Sequence, residues 1–286
     1  SLPKKWTAKY KVKQGHELDV NEHGRQLILH TDQDFASNAY QLDMTTFHPL
    51  INFGLTALYI RGIDELEVTS QKPEHIAKLQ EKPINQFIGF EIVEQSKNRA
   101  LIKDVSGIKD LDLNTLLRRI FLLLLSESSE SITSLKKKEL DWDHVLSIDL
   151  NVNRFSFLSQ RLLLKRGAPD PHHTPILYYL VAQLEAIGDE FKHLSEYIMS
   201  SKSSIDKDSI VFFERAHDLL EKFSLIFFKF DRDNATHLDT AYRHFAKDFE
   251  KYLGIAKPAN IRTLVFAGSI ADRVADCLRQ YLVVVL

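Results

Sequence analysis

The sequence predicts an α+β chain: a small hairpin head, a small α/β connector, then a mostly α body of two three-helix bundles. Three observations carry this expectation. From residue 108 to 286, apolar side chains recur at three- and four-residue steps, as the buried faces of successive helices require. Within that region two acidic pairs stand at the i, i+4 spacing, Glu185 with Asp189 and Asp272 with Asp276, as an internal duplication would place them. Ahead of it, short runs punctuated by glycine and proline read as strands, turns and brief helices.

The head, residues 1–33, opens on SLPKKW. Pro3 suits the start of a helical turn carrying Lys4, Lys5, Trp6 and Lys9. Gln14-Gly15 marks a turn, and Glu17 to Val20 a short strand. His23-Gly24 makes a tight turn, and Arg25 to His30 returns as a second strand through Leu27 and Leu29. So few residues cannot bury a core alone. The head is therefore expected to pair with a second copy of itself.

The connector, residues 34–107, reads as a helix over Phe47–Tyr59, a break at Gly62 and a strand over Glu65–Val68. A helix follows from Pro73 to Leu79. Strands over Phe90–Glu94 and Ala100–Val105 are joined by a polar turn at Ser96–Asn98. This order suggests a small open sheet covered on one face by helices. It carries neither a Gly-rich phosphate loop nor a nucleophile motif.

The body, residues 108–286, starts with a helix capped by Asp112 or Asn114 and running through Leu125. Ser126 to Ser131 is polar, and Lys136 to Lys138 reads as a solvated charge run. A long helix over Asp141–Lys165 is broken by Gly167, Pro169 and Pro171. The next, Thr174 to Ser200, precedes the linker SSKSSIDKDS. Further helices are expected over Ile210–Phe228, over His237–Leu253 before Gly254 and Pro258, and from Asn260 to the end. That makes two sets of three, with the 18 phenylalanines as core. The acidic positions repeat as well. Asp149 and Asn153 lie 36 positions before Glu185 and Asp189 (149 to 185), and Asp233 and His237 lie 39 before Asp272 and Asp276 (233 to 272).

Composition bounds the rest. At 286 residues the chain is long enough for two cores, and 44% hydrophobic with 27% charged content is ordinary for a globular protein. A formal net charge of −2 excludes a polycation, so any nucleic-acid site must come from local basic clustering. The single cysteine, Cys277, excludes an internal disulfide and suits a reducing compartment. The longest apolar run, Ile120 to Leu125, is far short of a membrane span, and no signal peptide is evident. A soluble, cytoplasmic protein without membrane insertion is expected. The 12 histidines are scattered, and no His-x-x-x-His, Cys-x-x-Cys or Ser/His/Asp set can be assembled. The chain does not read as an enzyme.

Two family resemblances add to this. The entry SLPKKW, the turn VKQGHELDV and the closing strand GRQLILH resemble the AbrB/SpoVT/MazE family of swapped-hairpin DNA-binding domains. The resemblance implies a further basic strand upstream of Ser1, and a homodimer that reads DNA as a two-fold object. Lys4, Lys5, Lys9, Lys11 and Lys13 would then form the phosphate-contacting face. Thr7 and Ala8 stand where some members carry an Arg pair. The segments LEAIGDEFKHLSEYI and SIADRVADCL resemble the PhoU family of phosphate-uptake regulators, and IDLNVNRFSFLSQRLL resembles that family's earlier acidic helix, with Asn153 in place of its second Asp.

A head and body in this order match archaeal phosphate-uptake-regulator homologues. The resemblance implies a divalent or iron-type metal at the acidic helix pairs, with Asp149, Glu185, Asp189, Asp233, His237, Asp272 and Asp276 as candidate ligands. Asn153 lowers the charge there, and Lys192, Arg273 and Arg279 offer the acids ordinary ion-pair partners. The expected function is a DNA-binding regulator of phosphate uptake, its helical body governing a dimeric head. The alternative is a partner-binding module acting on a phosphate transporter or signalling protein, with the head used only to dimerise.

Overall fold

The computed structural model describes residues 2–23, 26–30, 39–79, 84–106, 111–137, 142–201 and 205–286. The turn at His23-Gly24, the boundary at 33/34, Lys138, the helix start at Asp141 and linker positions 202–204 lie outside the described residues. The chain is α+β, mostly helical, with a small mixed sheet in its first part. It divides into two compact units, one of residues 1–85 and 89–107, the other of 86–88 and 108–286.

The first unit begins with α1 (Lys4–Lys9), preceded by Pro3 in extended conformation. Thr7 folds its hydroxyl back onto the Lys4 carbonyl at 3.1 Å. The chain then passes through a turn at Gly15, whose φ of +91° suits glycine. Strands β1 (Asp19–His23) and β2 (Gln26–His30) pair antiparallel, with Val20 opposite Leu29 and Glu22 opposite Leu27. The first strand lies about two residues later than the Glu17–Val20 expectation. The segment Lys13–His16 is held in a turn, with the Lys13 carbonyl accepting from His16 N–H at 3.2 Å, so pairing starts only after it.

The four-stranded sheet has the order β3 (Ala39–Asp43), β4 (Glu65–Thr69), β6 (Arg99–Asp104), β5 (Phe90–Gln95). β3 runs parallel to β4, and the other neighbours are antiparallel. The edge strand β3 was not expected from sequence. Between β3 and β4 the chain forms α2 (Met44–Phe47) and α3 (Ile51–Ile60), correcting the single helix expected over 47–59. The break falls at Pro49, which has no N–H for a helix ladder and restricts His48 to extended backbone. α4 (Pro73–Lys78) follows β4. Tyr59, fully buried, meets Phe90 edge-on at 4.9 Å between ring centres.

Among the described residues, the second unit has six α-helices: α5 (Leu113–Lys137), α6 (Trp142–Arg166), α7 (Thr174–Ser201), α8 (Lys207–Phe228), α9 (Arg232–Leu253) and α10 (Pro258–Val285). α5 corrects the expectation that its helix ends at Leu125. The polar run Ser126–Ser131 continues the same helix, because Glu127, Ser128, Ser131 and Ser134 extend the buried stripe of Leu117, Ile120, Phe121 and Leu124 at three- and four-residue steps. α9 also begins earlier than expected, at Arg232, where the Asp231 carboxylate accepts from Asn234 N–H at 2.8 Å.

The two sets of three helices share one continuous apolar core, from Leu117 on α5 through Leu184 and Phe223 to Tyr281 on α10. Asp206 ties the second set together. Its carboxylate caps α8 through Ser209 N–H at 2.8 Å, accepts from Tyr252 Oη on α9 at 3.2 Å, and also accepts from Asn260 on α10.

Candidate functional site

Two places bring candidate residues together. In the head, Lys4, Lys5 and Lys9 on α1 and Lys11 and Lys13 beyond it are all exposed. No residue of α1 is buried. Trp6 and Tyr10 pack at 5.3 Å, and the Lys9 ammonium lies 5.1 Å from the Tyr10 ring centre. The helix is therefore braced by aromatics on one side and presents cations to solvent. In the hairpin that follows it in sequence, Val20 and Leu27 are 54% and 66% exposed.

The second place lies inside the first three-helix set. α6 contributes Asp149 and Asn153, and α7 contributes Glu185, Asp189 and Lys192, positions that share a helix face by spacing. α5 adds Glu127, which sequence reasoning missed. Glu127 has no exposed surface and Asp149 only 4%. The Asn153 amide donates Nδ2 to Asp149 Oδ2 at 3.2 Å. The Lys192 ammonium donates to Asp189 Oδ1 and stands 3.7 Å from Asp149 Oδ2, so one lysine bridges α6 and α7. Among the described residues, neither Glu127 oxygen has a hydrogen-bond partner, nor have Asp149 Oδ1 and Asn153 Oδ1. Gly188 makes room for the acid. A Cβ there would stand 3.3 Å from both Glu127 Oε2 and Val152 Cγ1.

Burial dominates the electrostatics. It pushes the Glu127 carboxyl well above the usual range, with Asp149 and Asp189 adding to the rise and Lys192 opposing it. Asp149 is pushed up to about 6, mainly by burial. Glu185 is raised to about 7, again by burial first, then by Asp189 and Asp149. Burial works against the charge of Lys192, but its hydrogen bond to Asp189 and the charges of Asp149, Asp189 and Glu185 outweigh it and raise its pKa. Among the described residues, Glu127, Asp149, Glu185 and Asp189 gather around the Lys192 ammonium, and burial favours the protonated form of Glu127.

In the second set the acids take ordinary partners. Asp272 Oδ1 accepts from Tyr242 Oη at 2.8 Å, and Asp276 pairs with Arg279. Arg279 lies 5.7 Å over the Tyr242 ring. Asp233 and His237 are exposed on the first turns of α9, and the α9 side chain that reaches Asp272 is Tyr242. Arg273 joins α10 to α7, donating to Glu190 Oε1 at 3.2 and 3.3 Å and to Gln183 Oε1 at 3.1 Å. Among the described residues, no three His, Cys, Asp or Glu side chains converge as a group that could hold a metal ion. Cys277 is fully buried, and burial raises its thiol far above the range of a reactive thiolate. Among the described residues no helix is long and apolar enough to cross a membrane.

A periodic reading could have found Glu127, since it falls on the stripe begun by Leu117 and Leu124. Gly188 has its own signal, a glycine in mid-helix between two acids. No family model, curated protein or solved structure matches this chain.

Proposed function

We propose that the chain is a DNA-binding regulator in which a dimeric, lysine-faced head is governed by the helical body. The observation that carries this is the pairing, in one short segment, of five exposed lysines with a hairpin whose Val20 and Leu27 face solvent. A two-stranded hairpin is marginal by itself, and a second copy interleaved with the first would cover these side chains and set two lysine faces on one side. Exposed lysines at that spacing suit phosphate contacts.

The body's resemblance to phosphate-uptake regulators supplies the input: phosphate status, sensed in the cytoplasm, biases the helical unit and through it the paired heads. The experiment is fluorescence anisotropy of the full-length protein on duplex DNA at two salt concentrations. Binding is expected to weaken with log[salt] by about 0.9 log units per neutralised phosphate. Lys4→Glu/Lys5→Glu/Lys9→Glu is expected to abolish it. Absence of binding at low salt overturns the reading.

The second reading, a module docking on a transporter or signalling protein, is favoured by Leu122 on α5 and Leu225 on α8. They are 62% and 66% exposed on helices that pack together. In that case the head serves only to dimerise. Duplex binding lost in the lysine variant separates the two readings.

A further inference from the structure

The family that the helical body resembles implies a metal at the acidic pairs, and the donor set can be tested against that implication. A divalent or iron-type ion needs several oxygen or nitrogen ligands at roughly 2.0–2.6 Å, with their lone pairs aimed at one point. The first three-helix set does not offer this. Asn153 turns its amide nitrogen, a donor, toward Asp149, so the position that would add a second carboxylate instead presents N–H to the acid beside it. Lys192 hydrogen-bonds Asp189 on its own helix and lies 3.7 Å from Asp149 Oδ2 on the next, occupying the ground between the two carboxylates. A divalent ion placed among Asp149, Asp189 and Glu185 would meet a fixed positive charge at close range in a site with little water. The described acids do not converge three at a time in any case.

We infer that Lys192 is a tethered cation standing in for a metal, its ammonium holding α6 to α7 through Asp149 and Asp189. The first bundle is thereby made independent of divalent ions. The surrounding charges are consistent with that role. Asp189, Asp149 and Glu185 all favour the charged ammonium, and burial holds the Glu127 carboxyl on α5 well above the usual range. Among the described residues, Lys192 is the ammonium that acts on these acids, while Arg273 from α10 acts on Glu185 and His193 on Asp149. A side-chain cation differs from a metal in one functional respect: it cannot dissociate.

The test compares thermal unfolding of the full-length protein and of Lys192→Met, each with Mn²⁺ and with EDTA. The parent is expected to melt at the same temperature in both. Lys192→Met is expected to melt roughly 5–10 °C lower in EDTA, since the buried Asp149 and half-buried Asp189 lose their partner, and to regain part of that loss with Mn²⁺. Should Lys192→Met fail to fold, two other variants decide. Lys192→Arg keeps a cation and is expected to stay indifferent to Mn²⁺. Lys192→Met/Asp149→Asn removes one negative charge with the positive one and is expected to fold again. A parent that carries about one metal per chain and loses stability in EDTA overturns the inference. So does a Lys192→Met chain as stable as the parent and indifferent to Mn²⁺, or a double variant that stays unfolded.

Discussion

At the residue scale, the defining choice is Glu127: a carboxyl with no exposed surface and, among the described residues, no hydrogen-bond partner, facing a helix thinned by Gly188. Burial of this kind favours the neutral acid over the carboxylate. Its folded-state pKa is raised above the unfolded value, as are those of Asp149, to about 6, and Glu185, to about 7. For acids raised in this way the folded state binds protons more tightly. Their contribution to stability is full below the unfolded pKa near 4 and is lost as pH rises through the folded values. A tenfold difference in proton affinity corresponds to about 1.4 kcal/mol. The melting temperature of the helical unit should therefore fall between pH 5 and pH 8. Glu127→Gln keeps the shape and removes the ionisation, so it should raise the melting temperature at pH 8 and flatten the profile. A parent profile that is level or rises over this interval contradicts the assignment.

The acidic spacing on α6 and α7 was legible from residue numbers alone, because i and i+4 share a helix face. Which face points inward was not. Asp149 is buried while Asp233, at the corresponding place in the repeat, is exposed, and that difference is set by what packs opposite.

At the element scale, the helices whose ends carry strong local chemistry were readable. Gly167 and Pro171 end one and precede the next, and Gly254 and Pro258 separate the last two. Three elements were not. The run Ser126–Ser131 looks like a loop by composition, yet Ser128 and Ser131 occupy buried helical positions where small size matters more than polarity. Ser128 Oγ there meets His217 Nδ1 at 3.0 Å. β3 has one buried side chain, Leu42, so it shows almost no alternation. Pro49 divides α2 from α3 inside an otherwise apolar run.

The caps make a testable contrast at this scale. Asp231 caps one helix, whereas Asp206 caps α8 and also receives Tyr252 and Asn260 from α9 and α10. Losing a cap costs about 1–2 kcal/mol, and leaving buried donors unmatched adds to that. Asp206→Ala should lower the melting temperature by roughly 4–8 °C and Asp231→Ala by no more than about half as much. Equal effects from the two would show that Asp206 acts as an ordinary cap only.

At the scale of the whole molecule, the two three-helix sets form one core rather than two, and Arg273 clasps α10 to α7 beside the acidic centre. A change in that centre therefore has packed helices on every side through which to act. The head is built on the opposite principle. Its six-residue helix buries nothing, and its hairpin leaves Val20 and Leu27 uncovered. The sequence shows this insufficiency in advance, since so few residues cannot enclose a core. What it cannot show is which surface covers Val20 and Leu27; in the proposed reading that surface belongs to a second copy of the chain.

The most direct measurement is sedimentation equilibrium of the full-length protein, alone and with a labelled duplex at low salt, for the parent and for Val20→Asp/Leu27→Asp. The regulator reading predicts a dimer that binds duplex as two chains per DNA, and a variant that is monomeric and no longer binds. A parent that sediments as a monomer, or one that forms no complex with DNA at low salt, would contradict it.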